Sequence, residues 1–105
     1  MPKYLLVYHG GSLPDDEAAR AAGMAAWGVW FGSLGDAVVD GGAPTGAAKT
    51  INPDGATKDG GGANPVSGYS IITATDLDAA LALAKGCPLL SSGGSIEVAE
   101  TMDVM

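Results

Sequence analysis

The pattern of apolar side chains at the start of the chain predicts a β-strand buried on both faces. In Lys3–His9 the even-numbered and odd-numbered positions fall on opposite faces of an extended segment, and both sets are largely apolar. Such a pattern is typical of a central strand with cover on both sides. Gly10 and Gly11 follow and are expected to end the strand.

A second apolar pattern, at helical spacing, predicts a helix from Ser12 to about Leu34. Ser12 is the expected N-cap, and the acidic residues after it complement the positive end of the helix dipole. Gly35 is the expected left-handed C-cap. The core-facing stripe consists of Gly23, Trp27, Trp30 and Leu34, flanked by Ala19, Ala26 and Phe31.

Five further segments carry strand or helix signals. They are a strand over Asp36–Asp40, a short strand over Lys49–Ile51 followed by a turn at 53–55, a strand over Tyr69–Ala74, a helix capped by Thr75 and ended by Gly86, and a last strand over Ser95–Glu100. The tail 101–105 either extends this strand or exchanges with a partner. Residues 41–66 are rich in Gly and Pro and predict a long loop, which is a lid, a partner-contacting arm or a surface excursion.

The order of these elements predicts an α+β fold. Two strand–helix–strand halves form a ferredoxin-like βαβ-βαβ arrangement, with an antiparallel sheet of order 4-1-3-2 and both helices on one face. The 105 residues are expected to form one domain, 1–105, with the long loop at 41–66. The other sheet face would then expose apolar residues. We therefore expect a homodimer with two sheets face to face, a dimeric α/β barrel.

The same topology predicts a candidate site at one rim of the sheet. His9 and Asp40 are expected to finish at the same edge as the start of the Tyr69 strand. His9 is the only histidine and a candidate base, with Asp40 orienting it. Tyr69 and Trp27 are candidate ligand contacts. Structural roles stay open for each: a hydrogen-bonded strand end for His9, turn bonding for Asp40, and packing for Tyr69 and Trp27.

Charge and composition exclude several classes of partner. The net charge of −7 disfavours nucleic acid and anionic membrane surfaces. One cysteine, Cys87, and one histidine cannot form an intrachain disulfide or a usual zinc site. The glycine run 60–62 lacks the residues of a phosphate-binding loop, so neither metal nor cofactor is expected. The first apolar run is too short for a signal peptide or a membrane span, which predicts a cytoplasmic protein.

Short motifs in order along the chain resemble the YCII-related family, also called the DGPF domain family. They are Tyr4 to Tyr8, Met24 to Trp27, Asp40 to Pro44, Gly68-Tyr69, Asp76 to Ala80, Cys87-Pro88 and Gly94 to Val98. The resemblance implies a dimeric α+β barrel, and some relatives act on small aromatic compounds. The name-giving motif is replaced by 59–62, Asp-Gly-Gly-Gly. The His-Asp pair proposed as catalytic in one branch would fall near Met24 and near Lys85 or Cys87, so it does not carry over; Met24 remains a candidate ligand contact.

Two classes of function follow from these observations. The first is a small dimeric protein that binds an apolar or aromatic molecule at the sheet edge, or its catalytic version, a cofactor-independent lyase or isomerase using His9 and Asp40, with Trp27 as a pocket wall. The second is a protein-interaction or regulatory module that uses the same rim or residues 41–66.

Overall fold

The computed structural model describes residues 1–11 and 16–102. The helices and strands are β1 (Lys3–His9), α1 (Glu17–Leu34), β2 (Val38–Pro44), β3 (Lys49–Ile51), β4 (Thr57–Asp59), β5 (Val66–Thr73), α2 (Leu77–Ala84) and β6 (Ser95–Glu100). Short 3-10 turns at Gly35–Ala37 and Pro88–Ser92 follow the two helices.

The main sheet has the strand order β2-β5-β1-β6, and every neighbouring pair is antiparallel. Numbered by the four strands of the main sheet, this is the predicted order 4-1-3-2 of the ferredoxin-like α+β fold, which is thereby confirmed. β1 lies centrally, as its two apolar faces predicted, and the bounds of β1 and β6 agree with the sequence analysis. Strand β5 begins at Val66, three residues before the predicted start at Tyr69.

The helix caps differ from those expected. The Asp16 carboxylate caps α1 by accepting a hydrogen bond from the Ala18 N–H at 3.1 Å. The predicted cap, Ser12, lies outside the described residues. For α2, Thr75 was the wrong residue: the cap is Asp76, whose Oδ1 accepts from Ala79 N at 2.8 Å. A carboxylate reaches the same first-turn donors as a hydroxyl, so adjacent candidates cannot be ranked by type alone.

Strand β2 begins and ends later than predicted. After α1, Gly35 has a positive φ of 56° but not a left-handed ψ, and the chain makes a 3-10 turn before the strand starts at Val38. The strand then continues through two irregularities, between Val38 and Asp40 and between Asp40 and Ala43, to Pro44. The predicted segment 36–40 therefore covers the turn and only the first half of β2.

Residues 41–66 contain the short strand predicted over Lys49–Ile51, which is β3 with the predicted bounds, and further regular structure that the predicted long loop lacked. They include the end of β2 and a hairpin in which β3 pairs with β4, from Lys49 opposite Asp59 to Ile51 opposite Thr57. The predicted turn closes the hairpin, with Asn52 N donating to Ala56 O at 2.7 Å. The β4 segment is fully exposed, so it carries no apolar pattern from which a strand could be predicted.

The core lies between the sheet and the two helices. From the sheet it receives Tyr4, Leu6, Tyr8 and Ile72, and from the other elements Trp30, Ala74, Ala80, Ala84, Cys87 and Leu89. Trp27, Phe31 and Leu34 pack against this cluster, as the helical stripe predicted. Ile96 and Val98 also pack against it, which confirms the inward face of β6.

The opposite face of the sheet, which we call the open face, carries the odd-numbered residues of β1. Across the strands, Leu5 lies opposite Ile71 on β5 and Ala99 on β6. Val7 lies opposite Tyr69 on β5 and Glu97 on β6. The described residues form a slab of 44 × 43 × 18 Å. Its smallest dimension accommodates one sheet and one helix layer, since packed layers lie about 10 Å apart. No helix or strand within 1–11 and 16–102 forms a third layer over the open face.

Candidate functional site

His9 lies at the end of β1, on the open face, and its ring is largely enclosed. Its side chain is 13% exposed. Nδ1 lies 3.0 Å from the carbonyl oxygen of Asn64 and 3.3 Å from that of Pro65. A carbonyl only accepts, so Nδ1 must carry a proton for either hydrogen bond to form. The loop that leads into β5 thus selects the tautomer of the neutral ring.

The second ring nitrogen of His9 faces a carboxylate. Nε2 lies 3.5 Å from Oε1 of Glu97, which is 68% exposed. Nε2 is buried and has no hydrogen-bond partner among the described residues. A ligand can therefore reach this nitrogen only after a neighbouring group moves, and the exposed Glu97 side chain is one neighbour that is free to do so.

Sequence reasoning missed Glu97. The predicted strand order already placed the last strand beside the first, and the alternation of Ser95–Glu100 puts Glu97 on the face opposite Ile96 and Val98. Its cross-strand partner is Val7, one pleat from His9. Glu97 could have been predicted only from the register between the first and last strands, and that register joins segments about ninety residues apart in the sequence.

Asp40 is bound within its own strand and to Tyr69. Its Oδ1 accepts a hydrogen bond from Gly42 N at 2.8 Å, and its Oδ2 from the Tyr69 hydroxyl at 3.4 Å. The first contact closes a local turn, the structural role left open in the sequence analysis. The second links two of the predicted site residues across β2 and β5.

The structure does not place Asp40 beside His9. Asp40 lies opposite Ile71, which lies opposite Leu5, four residues before His9. This is about 13 Å along the strand direction. The expected shared edge was wrong because β2 continues to Pro44, and it is Pro44 that lies opposite Gly68 near the His9 end. Glu97, not Asp40, is the carboxylate beside the imidazole.

Trp27 and Met24 lie in the helix layer, on the other side of the sheet from Tyr69. The Trp27 ring packs edge-on against Tyr8, with centroids 5.2 Å apart, and continues to Trp30 and Phe31. Met24 is 77% exposed. The structure thus separates the predicted contacts into an open-face group, with His9, Asp40 and Tyr69, and a helix-layer group.

A groove of about 510 Å³ runs beside α1 on the helix layer. It lies between the helix and the segment that follows α2, and is lined by Ala26, Val29, Trp30, Ser33, Gly86, Pro88 and Ser91. Trp30 itself is buried, with its indole Nε1 donating to Leu83 O at 3.1 Å. The groove walls therefore carry no charged group.

Two buried groups near the core have raised pKa values. Burial raises the pKa of the Tyr8 phenol to about 12, and the hydroxyl donates to Ser70 Oγ at 2.7 Å. Ser70 in turn donates to Gly41 O at 2.8 Å, which ties β1 and β5 to β2. Burial also raises the pKa of the Cys87 thiol, which disfavours the thiolate that a nucleophile needs.

Within 1–11 and 16–102, no group of three or more His, Cys, Asp or Glu side chains is placed to hold a metal ion. No helix in these ranges is long and apolar enough to cross a membrane.

Among solved structures, the chain is similar to TftG, the 5-chloro-2-hydroxyhydroquinone dehydrochlorinase from Burkholderia phenoliruptrix AC1100, determined in complex with 2,5-dihydroxybenzoquinone. The TM-score is 0.57 at 19% sequence identity, over 94% of this chain and 93% of TftG. At this identity the likeness is one of fold. No protein-family model and no curated protein matches the sequence.

Proposed function

We propose that the chain is a YCII-related homodimeric protein that binds a small apolar or aromatic molecule at the edge of its open face. The observation that carries this proposal is the open face itself. Its centre is apolar, with Leu5, Val7 and Ile71, and polar groups border it: the His9–Glu97 pair at one end and the Asp40–Tyr69 pair at the β2 edge. An apolar floor with a few polar groups at its border is the usual composition of a ligand site.

A second copy supplies the missing wall in this proposal. Two open faces packed against each other remove the half-buried apolar side chains from water and enclose the polar pairs at the seam. The flatness of the chain supports this. Its radius of gyration is 15.2 Å, whereas about 13 Å is typical of a compact domain of this length. The fold likeness to an enzyme bound to a dihydroxybenzoquinone supports a ring compound as ligand.

The test combines mass and binding. We expect a dimer mass at micromolar concentration by light scattering, and heat of binding on titration with 2,5-dihydroxybenzoquinone or hydroquinone. Ile71→Lys should lower both, because it buries a charge in the seam. Ile51→Lys, on the hairpin, is the matched control and should change neither. A monomer mass refutes the dimer, and a dimer that binds neither compound refutes the ligand class.

A second candidate function is cofactor-independent proton transfer by His9, as in a lyase or isomerase. The supporting observation is the fixed tautomer: carbonyl groups hold Nδ1–H, so Nε2 of the neutral ring is the proton acceptor. The orienting group in this version is the backbone at 64–65 in place of Asp40. Because Nε2 is buried, the reaction requires that a neighbouring group move aside, and in this version that group is the Glu97 side chain.

This candidate is tested by NMR on ¹⁵N-labelled protein, in which the single histidine needs no assignment. We expect Nδ1–H signals in the apo protein and a shift of the Nε2 resonance when a ring compound binds. Glu97→Ala should open Nε2 and enlarge that shift, whereas His9→Gln should abolish any turnover while the dimer persists. Turnover retained in His9→Gln contradicts the base assignment. Binding without product in every variant favours a non-catalytic binding protein.

A further inference from the structure

The outward half of α1 lacks the polar character of a surface helix. No charged residue occurs from Ala21 to Leu34, and the only hydroxyl there, that of Ser33, donates to Trp30 O at 2.6 Å. On this face Met24 is 77% exposed and Val29 is 73% exposed. A helix at a protein surface normally carries charged or polar residues opposite its buried stripe, and an all-round apolar helix is normally buried.

An uncharged groove adjoins this face. It is the 510 Å³ groove between α1 and the segment after α2, and Val29 forms part of its wall. Along the helix, Ala25 and Gly32 flank Val29 and are exposed, and nothing lies within 4 Å of the place where a Cβ on Gly32 would stand. A protruding apolar side chain and an open, shallow groove therefore lie side by side along α1.

We infer that the outer face of α1, with its adjoining groove, is an interface with a second copy of this chain. This contact is distinct from the open-face dimer, since the two surfaces lie on opposite sides of an 18 Å slab. It does not depend on the proposed function.

The charge of the chain favours a second copy at this face. At −7, two copies repel each other wherever their acidic surfaces meet, and an uncharged helix face lets them approach without that cost. A strongly charged partner would gain no ion pairs here. The closest match to an apolar, uncharged helix face is another such face.

The face also contains the two parts that a two-fold contact needs, an exposed apolar side chain and an adjoining groove. A two-fold interface requires that the same patch contain both a protrusion and its recess. Here Val29 of each copy can enter the groove of the other, with the helices antiparallel. That arrangement sets the two helix dipoles in opposition, which is favourable.

The expected strength is modest. An 18-residue helix is about 27 Å long, so the helix and groove present a strip well below the ~800 Å² per partner of a standard interface. Association through α1 should therefore depend on concentration, in contrast to the larger open face.

The experiment is sedimentation velocity with light scattering from micromolar to near-millimolar protein. Val29→Lys and, separately, Ala25→Lys place a charge in the α1 face, and Ile51→Lys is the control, because Ile51 is equally 73% exposed but lies on the hairpin. Each variant reduces the net negative charge by one, so added repulsion cannot explain a loss. Lysine is a good helix former, which preserves α1; circular dichroism and urea unfolding verify the fold.

We expect the wild type and Ile51→Lys to gain mass with concentration, and both α1 variants to weaken that association by at least about tenfold. If the open-face dimer is absent, the wild type grows from monomer to dimer with concentration. If that dimer is present, the wild type grows from dimer to a larger species, and in both cases the α1 variants grow less. Equal masses for wild type and Val29→Lys at every concentration overturn the inference. A loss of association in Ile51→Lys equal to that in the α1 variants also overturns it.

Discussion

Gly42 is the residue of β2 whose substitution should cost most, and the structure separates it sharply from its neighbour Gly41. Gly42 has a φ of +74°, which L side chains rarely adopt. A Cβ there would overlap the Tyr69 carbonyl, lying 2.6 Å from its carbon, and would stand 3.2 Å from Ser70 Cα. Backbone cannot rotate away as a side chain can. Gly41→Ala meets nothing within 4 Å.

The expected loss of stability has two contributions, the left-handed backbone conformation and the overlap with the Tyr69 backbone. The left-handed conformation costs an alanine roughly 1 kcal/mol. Moving β2 away from β5 to relieve the overlap breaks the pairing of Ala43 with Tyr69 and of Pro44 with Gly68, at about 1 kcal/mol for each hydrogen bond lost. We expect Gly42→Ala to lower the free energy of unfolding by about 3 kcal/mol, a large share of the roughly 5–15 kcal/mol of a typical domain.

Urea unfolding followed by tryptophan fluorescence measures both variants. Gly41→Ala should lie within about 0.5 kcal/mol of wild type, because it changes only the freedom of the unfolded chain. The Asp40–Tyr69 pair depends on the same turn, since Gly42 N holds the Asp40 carboxylate. If Gly42→Ala unfolds at the same urea concentration as Gly41→Ala, the described course of β2 is wrong.

Three further predictions concern the core and the helices. Between pH 10 and 12 the unfolded chain loses the phenolic proton of Tyr8 and the folded chain keeps it, so stability should fall with rising pH by about 2 kcal/mol; urea unfolding at about pH 9 and pH 11 should show a smaller fall in Tyr8→Phe. Asp76→Ala should lower the urea midpoint, by about 1 kcal/mol of stability, while Thr75→Ala does not; equal losses would contradict the assigned cap. Trp30→Phe removes the hydrogen bond to Leu83 O and part of the core and should cost about 2 kcal/mol in the same assay, and an unchanged midpoint would contradict that packing.

What could be predicted of the fold depended on local pattern. The alternation in Lys3–His9 and Ser95–Glu100 predicted both strands with their bounds, because each has one face in the core. Strand β2 could not be bounded in this way, since a 3-10 turn precedes it and a turn held by Asp40 interrupts it. The hairpin strand Thr57–Asp59 is held by backbone pairing and by the exposed Lys49–Asp59 ion pair, neither of which leaves a trace in hydrophobicity.

The candidate site was less predictable, because it depends on register. The apolar alternation of Lys3–His9 correctly predicted His9 at the end of a central strand, but a shift of four residues in β2 was enough to move Asp40 away from it. Glu97 lies beside His9 because β6 pairs with β1, a contact between the two ends of the chain. A site assembled at a sheet edge is sensitive to such shifts, since each residue moves a side chain about 3.3 Å and to the other face.

The two apolar faces together constrain how copies of this chain can assemble. Each face forms a two-fold contact in our proposals, and the faces lie on opposite sides of the slab. Two such contacts close at four copies when their axes cross at right angles, and at a larger even number of copies at a few smaller crossing angles; in every other arrangement they build an open array. The −7 charge opposes growth in either case, because every added copy brings more acidic surface together. A strong open-face contact with a weak α1 contact therefore keeps dilute protein at the dimer and limits the larger species to high concentration.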